Sequence, residues 1–312
     1  MKLGSLVAPF LRHRELLGRA ARTRKGERAV LERLVAFLAE RGVEEVEALN
    51  RDALAAFQEE LAEAWTPSGA RLRPQTQRGY LTVVRHFARW LYDEDLAAVD
   101  LSRSIRLPRR EHGLPKEVID PPEMRALLAA APVDSVLGLR DRTMLEVLWS
   151  TGMRVSELAG IRVEDVDLEG GYVRVVRAKG GRMRVVPLGE VATTWVREYL
   201  TAARPSLEDR SSVGSVDGPL FLSRTGRGLE RSAIAWMVRK HCRAAGITKH
   251  VTPHCFRVTC ATGMLRNGAH VRHLQELLGH RTVATLDPYL KLTVTELKEA
   301  HARHHPREQM DV

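Results

Sequence analysis

Several features are scarce in this sequence of 312 residues, and each scarcity excludes a class of protein. Three cysteines are too few for a disulfide framework, so a reducing cytoplasm is the expected compartment. Uncharged stretches are short, and none approaches the roughly 20 residues that a membrane helix needs. The apolar stretch near Met1 is interrupted by Pro9 and lacks a small-residue cleavage site, so no signal peptide and no membrane partner are expected.

Acidic residues are also scarce in one part of the chain. Residues 218–275 contain ten Lys or Arg and a single acid, Glu230, and this segment accounts for most of the formal net charge of +10. A codon bias towards arginine would spread the positive charge evenly along the chain. The local concentration instead favours a polyanionic partner, with nucleic acid first.

The length and the apolar periodicity predict two domains joined by a linker. A chain of this length is typical of two domains. The first part has apolar residues at helical spacing, for example over residues 27–41 and 76–94. Residues 106–118 contain two prolines and a basic pair and lack apolar periodicity, as a linker does. We therefore predict a helical domain over residues 1–105, a linker over 106–118 and a second domain over 119–312.

The second domain is predicted to be helical around a small hairpin. A capping signature at Asp120 starts a helix over residues 121–131, and another helix is expected over 139–150. Two valine-rich segments, residues 172–177 and 183–188, flank Ala-Lys-Gly-Gly and predict a β-hairpin with Lys179 at its tip.

Three more helices are predicted towards the end of the chain. Thr252 followed by Pro253 is a helix start, and a helix over residues 271–278 stops at Gly279. A capping box formed by Thr293 and Glu296 starts a terminal helix that ends near His304.

The first turn of the helix after Thr252 carries two residues that suit a phosphate. His254 and Arg257 are three positions apart, so they share one helix face. Free backbone N–H groups and the helix dipole favour an anion there. Arginine offers a planar fork for two oxygens, and histidine donates one more hydrogen bond. Taken alone, a His-x-x-Arg pair is more often surface decoration than a site.

Further motifs precede and follow this pair. The run Thr-Gly-Met-Arg154-Val-Ser-Glu157-Leu places an arginine at a helix start with a glutamate one turn on to hold it. The run Leu-Leu-Gly-His280 places a histidine just beyond a helix end, and Tyr289 follows.

The ordered series of Arg154, Lys179, the Pro-His-x-x-Arg run, Leu-Gly-His280 and Tyr289 resembles the tyrosine recombinase (phage integrase) family. The resemblance covers residues 120–307, and the tail from Glu296 to Arg307 is similar to that of Xer-type members. It implies a mainly α fold with a small antiparallel sheet, in which a helical core-binding domain and a mixed α/β catalytic domain clamp a DNA duplex.

The resemblance also implies the reaction. Tyr289 would attack a DNA phosphodiester and form a 3′-phosphotyrosine, and Lys179 would protonate the departing 5′ oxygen. A phenol has a pKa of about 10, so the site must stabilise the phenoxide or remove its proton.

The remaining site residues would act on the phosphoryl group. Arg154 and Arg257 would clamp its nonbridging oxygens, and His280 would donate a further hydrogen bond. His254 resembles the family's acid/base or phosphate-orienting residue, and Glu157 would position Arg154.

The partners follow from the same resemblance. Double-stranded DNA is the expected substrate, bound by a homotetramer or by paired recombinases on two DNA sites, with the terminal helix docking onto a neighbouring protomer. The guanidinium groups would carry the charge that Mg²⁺ carries elsewhere, and the phosphotyrosine keeps the bond energy, so neither a metal nor a cofactor is expected. Integration, excision and dimer resolution all use these residues, so the biological role and the DNA site stay open.

Two other functions remain open at this point. A DNA-binding protein of the same fold with little cleavage is one, since Pro288 directly precedes Tyr289 and Val258 stands where the family often has histidine. A DNA relaxer similar to type IB topoisomerases is the other, although no swivel linker is evident and the Xer-like tail points away from it.

Each motif residue also has a structural explanation. Lys179 could be a polar turn residue, Glu157 a helix-face charge and His280 a helix cap, and four other tyrosines occur, none after Leu-Gly-His. A structural zinc site is a further alternative in the middle segment, although paired ligand spacing is missing. Its candidate ligands are His241, Cys242, His250, His254, Cys255 and Cys260.

Overall fold

The computed structural model describes residues 1–66, 68–109, 118–176, 183–210 and 218–279, and the structural statements below concern these residues. The chain divides into two compact units, Met1–Gly113 and Leu114–Val312. Residues 110–117 of the predicted linker lie outside the described residues. Each unit has its own hydrophobic core and is described by itself.

The first unit is helical, as predicted. Its four helices are α1 (Leu3–Leu16), α2 (Ala21–Ala39), α3 (Arg51–Glu63) and α4 (Pro74–Asp93). The Asn50 side chain caps α3, since its Oδ1 accepts a hydrogen bond of 2.9 Å from the Ala53 N–H. The core is apolar and aromatic, with Phe10 and Phe87 in edge-to-face contact at a centroid distance of 5.3 Å. Helix α1 is absent from the predicted elements because Pro9 lies inside it.

The second unit is built around one buried helix. The helices are α5 (Pro121–Ala129), α6 (Val136–Thr151), α7 (Val155–Leu158), α8 (Glu190–Glu198), α9 (Arg204–Glu208), α10 (Arg231–Ala244), α11 (Pro253–Arg266) and α12 (Val271–Leu278). Eleven of the sixteen residues of helix α6 are buried, with Met144, Leu145 and Leu148 fully inaccessible. It packs against α8 and α11, which gives α11 a fixed position beside the end of α6.

A three-stranded antiparallel sheet lies beside these helices. Its strands are β1 (Val166–Asp167), β2 (Tyr172–Val175) and β3 (Arg184–Pro187), in the order β1-β2-β3. The register pairs Val175 with Arg184 and Arg174 with Val185. The predicted hairpin is therefore confirmed, while the two-residue β1 has no signal in the sequence. Residues 177–182 at the hairpin tip and the helix predicted over residues 293–304 lie outside the described residues.

Candidate active site

The site begins where α6 ends. Gly152 follows α6 and has φ +56°, a left-handed conformation that suits glycine and stops the helix. A Cβ at this position would lie 3.1 Å from Leu278 Cδ2 and 3.2 Å from Cys260 Sγ. The missing side chain thus lets the end of α6 approach α11 and α12 closely, and the chain then turns into Arg154 and α7.

Arg154 and Glu157 form an ion pair at the start of α7. Arg154 Nη1 donates to Glu157 Oε1 at 2.9 Å, and the Arg154 backbone N–H donates to Oε2 at 2.8 Å. The Glu157 side chain is 1% exposed and that of Arg154 is 31% exposed. The buried Glu157 therefore holds Arg154 from the protein interior and leaves part of the Arg154 guanidinium accessible to a ligand.

Arg257 lies on α11 and is the inner arginine of the site. Its side chain is among the largest fully buried ones of the described residues, with the residue 2% exposed. Nη1 donates to the Gly152 carbonyl at 3.0 Å and Nη2 to the Leu278 carbonyl at 2.5 Å. One guanidinium thus links the end of α6, which leads to Arg154, with the end of α12, which leads to His280.

Arg184 on β3 is a third arginine in the site, and it has no place in the motifs. Nη1 and Nη2 donate to the two carboxylate oxygens of Glu157 at 3.0 and 2.8 Å, and Nε donates to the Leu277 carbonyl at 3.1 Å. Its side chain is 11% exposed. The sequence shows Arg184 as a charged residue in the predicted hairpin. It does not show that Arg184 pairs with Glu157, because no helix or strand spacing brings the two positions together.

Glu157 is ionised in this setting. Burial acts to raise the pKa of its carboxyl, but hydrogen bonds from Arg184 and from the Arg154 backbone, with the nearby Arg184 charge, outweigh burial and lower the pKa to about 2. One carboxylate therefore lies between two guanidinium groups, and the described cluster of Arg154, Arg184, Arg257 and Glu157 keeps a positive balance that favours an anion.

His254 lies in the first turn of α11, which starts at Pro253 as predicted. The residue is exposed, whereas Arg257 one turn further on is buried. The two residues thus occupy the same end of α11 at different depths. Of the predicted site residues, the structure brings Arg154, Glu157 and Arg257 into one linked cluster and places His254 on the helix that carries Arg257. Lys179, His280 and Tyr289 lie outside the described residues.

The candidate zinc ligand His241 has other partners. His241 is buried on α10, with Nε2 2.9 Å from Asp141 Oδ2 and Nδ1 3.2 Å from the Ala130 carbonyl. Burial raises the pKa of the Cys242 and Cys260 thiols to about 11. Across the described ranges, no three His, Cys, Asp or Glu side chains are placed to hold a metal ion.

The basic segment gives the second unit a charged surface. Helix α10 exposes Arg239, Lys240 and Arg243 beside Trp236, which is 60% exposed, and these four residues line a shallow cavity of about 360 Å³. Lys249 differs, because its Nζ donates to Asp120 Oδ2 at 2.9 Å and Glu123 Oε2 at 2.8 Å. The exposed positive charge of this helix suits a polyanion. No helix within the described ranges is both long and apolar enough to cross a membrane.

Comparison with known proteins extends the resemblance over most of the chain. Residues 117–296 match the phage integrase family. The tyrosine recombinase XerD of Pseudomonas aeruginosa is 38% identical over 290 residues, which is 93% of either chain. The tyrosine recombinase XerC of Pelobacter propionicus is 36% identical over 239 residues, covering 77% of this chain and 76% of that protein.

Solved structures share the fold. The crystal structure of XerA recombinase is 27% identical, covers 98% of this chain and 100% of that chain, and has a TM-score of 0.53. The Tn1549 transposon integrase in complex with a circular intermediate DNA is 18% identical, has a TM-score of 0.74 and covers 97% and 99% of the two chains. The mainly helical fold with a small antiparallel sheet is thus confirmed. The match over more than half of the sequence, together with these relatives, shows that the chain belongs to the phage integrase family.

Proposed function

We propose that this chain is a site-specific DNA recombinase that cleaves and rejoins DNA strands through a 3′-phosphotyrosine intermediate on Tyr289. The proposal is carried by one observation, the guanidinium of Arg257 that donates to Gly152 and so ties α11 to the segment presenting Arg154. Relatives also support the proposal, since proteins that are 36–38% identical to this chain are named tyrosine recombinases.

The proposed reaction is a transesterification at phosphorus. The Tyr289 oxygen attacks the phosphorus, the bond to the 5′ oxygen breaks, and the phenolic proton leaves to a base, for which His254 is the candidate. Lys179 gives a proton to the departing 5′ oxygen. A free 5′-hydroxyl from another strand reverses the step, because the phosphotyrosine keeps the energy of the broken bond.

The arginines supply the electrostatic part of the proposal. Arg154, 31% exposed at its side chain, is the guanidinium that a phosphate reaches first. Arg257 is buried, so a phosphate can contact it only where the protein atoms that cover this side chain give way. Fixed positive charge in a water-poor site stabilises the charge that gathers on the nonbridging oxygens in the transition state. His280 would add a hydrogen bond to the same group.

Duplex DNA fits the charged face of the second unit. The exposed cations of α10 would contact phosphates, and Trp236 among them offers an apolar surface to the groove. We infer that two DNA sites are bound by a homotetramer or by paired recombinases, with residues 293–304 docking onto a neighbour, and that the reaction takes place in the cytoplasm. Integration, excision and dimer resolution are the biological roles open to this chemistry.

The test is capture of a covalent complex from a library, so that the protein itself selects its DNA site. A library of nicked duplexes, each with a pair of inverted arms of randomised sequence, is incubated with the protein, and DNA that stays attached in detergent is recovered and sequenced. The proposal expects enrichment of one family of arm sequences with the wild-type protein and none with Tyr289→Phe.

Two results would contradict the proposal. Tight binding of the library without attached DNA would favour a DNA-binding protein with little cleavage. Attachment without any arm preference, together with rapid relaxation of any supercoiled plasmid, would favour a relaxer of the topoisomerase type.

A further inference from the structure

Arg184 contacts two separate parts of the candidate site with one side chain. Its two terminal nitrogens bind both oxygens of Glu157, at 3.0 and 2.8 Å, and its Nε donates to the Leu277 carbonyl at 3.1 Å. Glu157 also binds Arg154, and Leu277 lies in the last turn of α12. One planar group therefore spans from the Arg154 ion pair to the helix end that precedes His280.

The end of α12 is fitted onto Arg184. Gly279 has φ +63°, and a Cβ there would lie 3.1 Å from Arg184 Cδ, 3.2 Å from Nε and 3.3 Å from Cζ. Arg257 holds the neighbouring carbonyl of Leu278. Two guanidinium groups thus take consecutive carbonyls of the helix end, and the absence of a side chain at Gly279 lets the chain pass directly over Arg184.

The three bonds of Arg184 depend on the shape of its side chain. A guanidinium presents Nε–H and two terminal nitrogens in a fixed fork, whereas a lysine ammonium presents one compact charge on a flexible stem. Lysine at this position could retain one contact with Glu157, but it could not bind both carboxylate oxygens and the Leu277 carbonyl together. A positive charge alone therefore does not suffice here, and the arrangement requires the fork-shaped guanidinium of arginine.

The register of the sheet separates Arg184 from the other arginine of the hairpin. Arg184 pairs with Val175, which is buried, and Arg174 pairs with Val185, which is exposed, so the two arginines point to opposite faces. Arg184 faces the site. Arg174 is exposed and offers a control that removes one arginine from the same sheet.

We propose that Arg184 is a positioning residue for strand cleavage, a role that rests on the proposed function. It fixes Glu157, and through it Arg154, relative to the end of α12, so that the guanidinium of Arg154 is held in one place to bind a phosphate. Arg184 acts through these groups and does not itself touch the DNA. Its loss should therefore slow cleavage at saturating protein while the affinity for DNA stays the same.

The test measures single-turnover formation of the covalent complex and the dissociation constant for the same nicked DNA. Arg184→Ala should cleave about 10–100-fold more slowly, since a misplacement of about 1 Å can cost 10²-fold, with a dissociation constant within about twofold of wild type. Arg184→Lys should stay within about threefold of Arg184→Ala, and Arg174→Ala within about threefold of wild type. Methylguanidinium at non-denaturing concentration should accelerate Arg184→Ala and leave Arg174→Ala unchanged.

Several outcomes would overturn the proposal. Cleavage by Arg184→Ala at the wild-type rate would show that positioning does not need this residue, and a loss confined to affinity would make Arg184 a DNA contact. If Arg184→Ala does not fold, a wild-type rate in Arg184→Lys would contradict the need for the fork.

Failure of the proposed function is separately visible, because the wild-type protein then forms no adduct. Hydrogen exchange decides the role of Arg184 in that case. The amides at the end of α12 should exchange faster in Arg184→Ala than in Arg174→Ala, and equal exchange would contradict a positioning role.

Discussion

At the residue scale, Glu157 shows how burial and ion pairing oppose each other. A buried carboxyl without partners would have a raised pKa, but two arginines and a backbone N–H lower this one to about 2, against an ordinary value of 4.5. Because the folded pKa lies below the unfolded value, the unfolded state binds more protons between these two values. The stabilisation from Glu157 is therefore complete above about pH 4.5 and is lost as the pH falls towards 2.

This predicts a pH-dependent cost for Glu157→Gln. At pH 7 the variant should lose on the order of 3 kcal/mol of the free energy of unfolding, because the guanidinium groups of Arg154 and Arg184 lose the buried carboxylate that pairs with them. The difference from wild type should shrink as the pH falls from about 4.5 and nearly vanish near pH 2. Urea unfolding of both proteins across this range measures it.

Glu164→Gln is the matched control, since Glu164 forms an ion pair with Arg162 at the surface, 53% exposed. It should differ from wild type by no more than about 0.5 kcal/mol at any pH. A Glu157→Gln difference that stays constant down to pH 2 would contradict the role of the ionised carboxylate.

Gly152 gives a second prediction at this scale. Gly152→Ala forces a left-handed backbone on alanine and also pushes a methyl group against Leu278 and Cys260. Gly246→Ala has the same backbone demand, φ +70°, with nothing within 4 Å of the added carbon. We expect Gly246→Ala to cost about 1–2 kcal/mol and Gly152→Ala about 1–3 kcal/mol more. Thermal unfolding of the two variants measures the difference, and equal losses would show that the close approach carries no energy.

The sequence predicts some of these residues and misses others for a physical reason. Arg154 and Glu157 are visible because a helix start brings residues three apart together. Arg184 is not, because its partners lie 27 and 93 positions away and meet it only through the fold. The burial of Arg257 likewise cannot be predicted from the sequence, since it depends on carbonyl groups at the ends of two other helices.

At the element scale, predictability follows the strength of the local signals. Helices with a capping residue and a proline in the first turn begin where the sequence predicts, as α5 does at Pro121 and α11 at Pro253. Helices α8, α9 and α10 are absent from the predictions, and so is β1, which has two residues. Helix α10 starts after Glu230 without a side-chain cap, and its exposed face is a run of arginine and lysine rather than a capping motif.

Helix α10 carries a prediction about DNA affinity. Arg239→Gln should lower the affinity similarly for all sequences and reduce the slope of log affinity against log salt by about one, because one phosphate contact is lost. Lys249→Gln is the control, since Lys249 already forms ion pairs with Asp120 and Glu123. Fluorescence anisotropy with a labelled duplex over a salt series measures both slopes. An unchanged slope in Arg239→Gln would remove α10 from the DNA-binding surface.

At the scale of the whole molecule, the basic segment and the candidate site lie in the same compact unit. The ten cations of residues 218–275 all belong to the unit that holds Arg154 and Arg257. Eight of these cations are exposed, whereas Arg257 is buried and Lys249 is half-buried in ion pairs. Under the proposed function, the charge that would bind the duplex and the charge that would act on the phosphate are therefore supplied by different residues of the same unit. This separation explains why affinity and cleavage should respond to different substitutions.

Mass spectrometry of the DNA-linked peptide tests the central claim most directly. The wild-type protein is trapped on a nicked duplex from the enriched arm family, digested with protease and nuclease, and sequenced by fragmentation. The account predicts one nucleotide attached through a 3′-phosphate to Tyr289, with no adduct in Tyr289→Phe. Attachment through another residue, or through a 5′-phosphate, would contradict it.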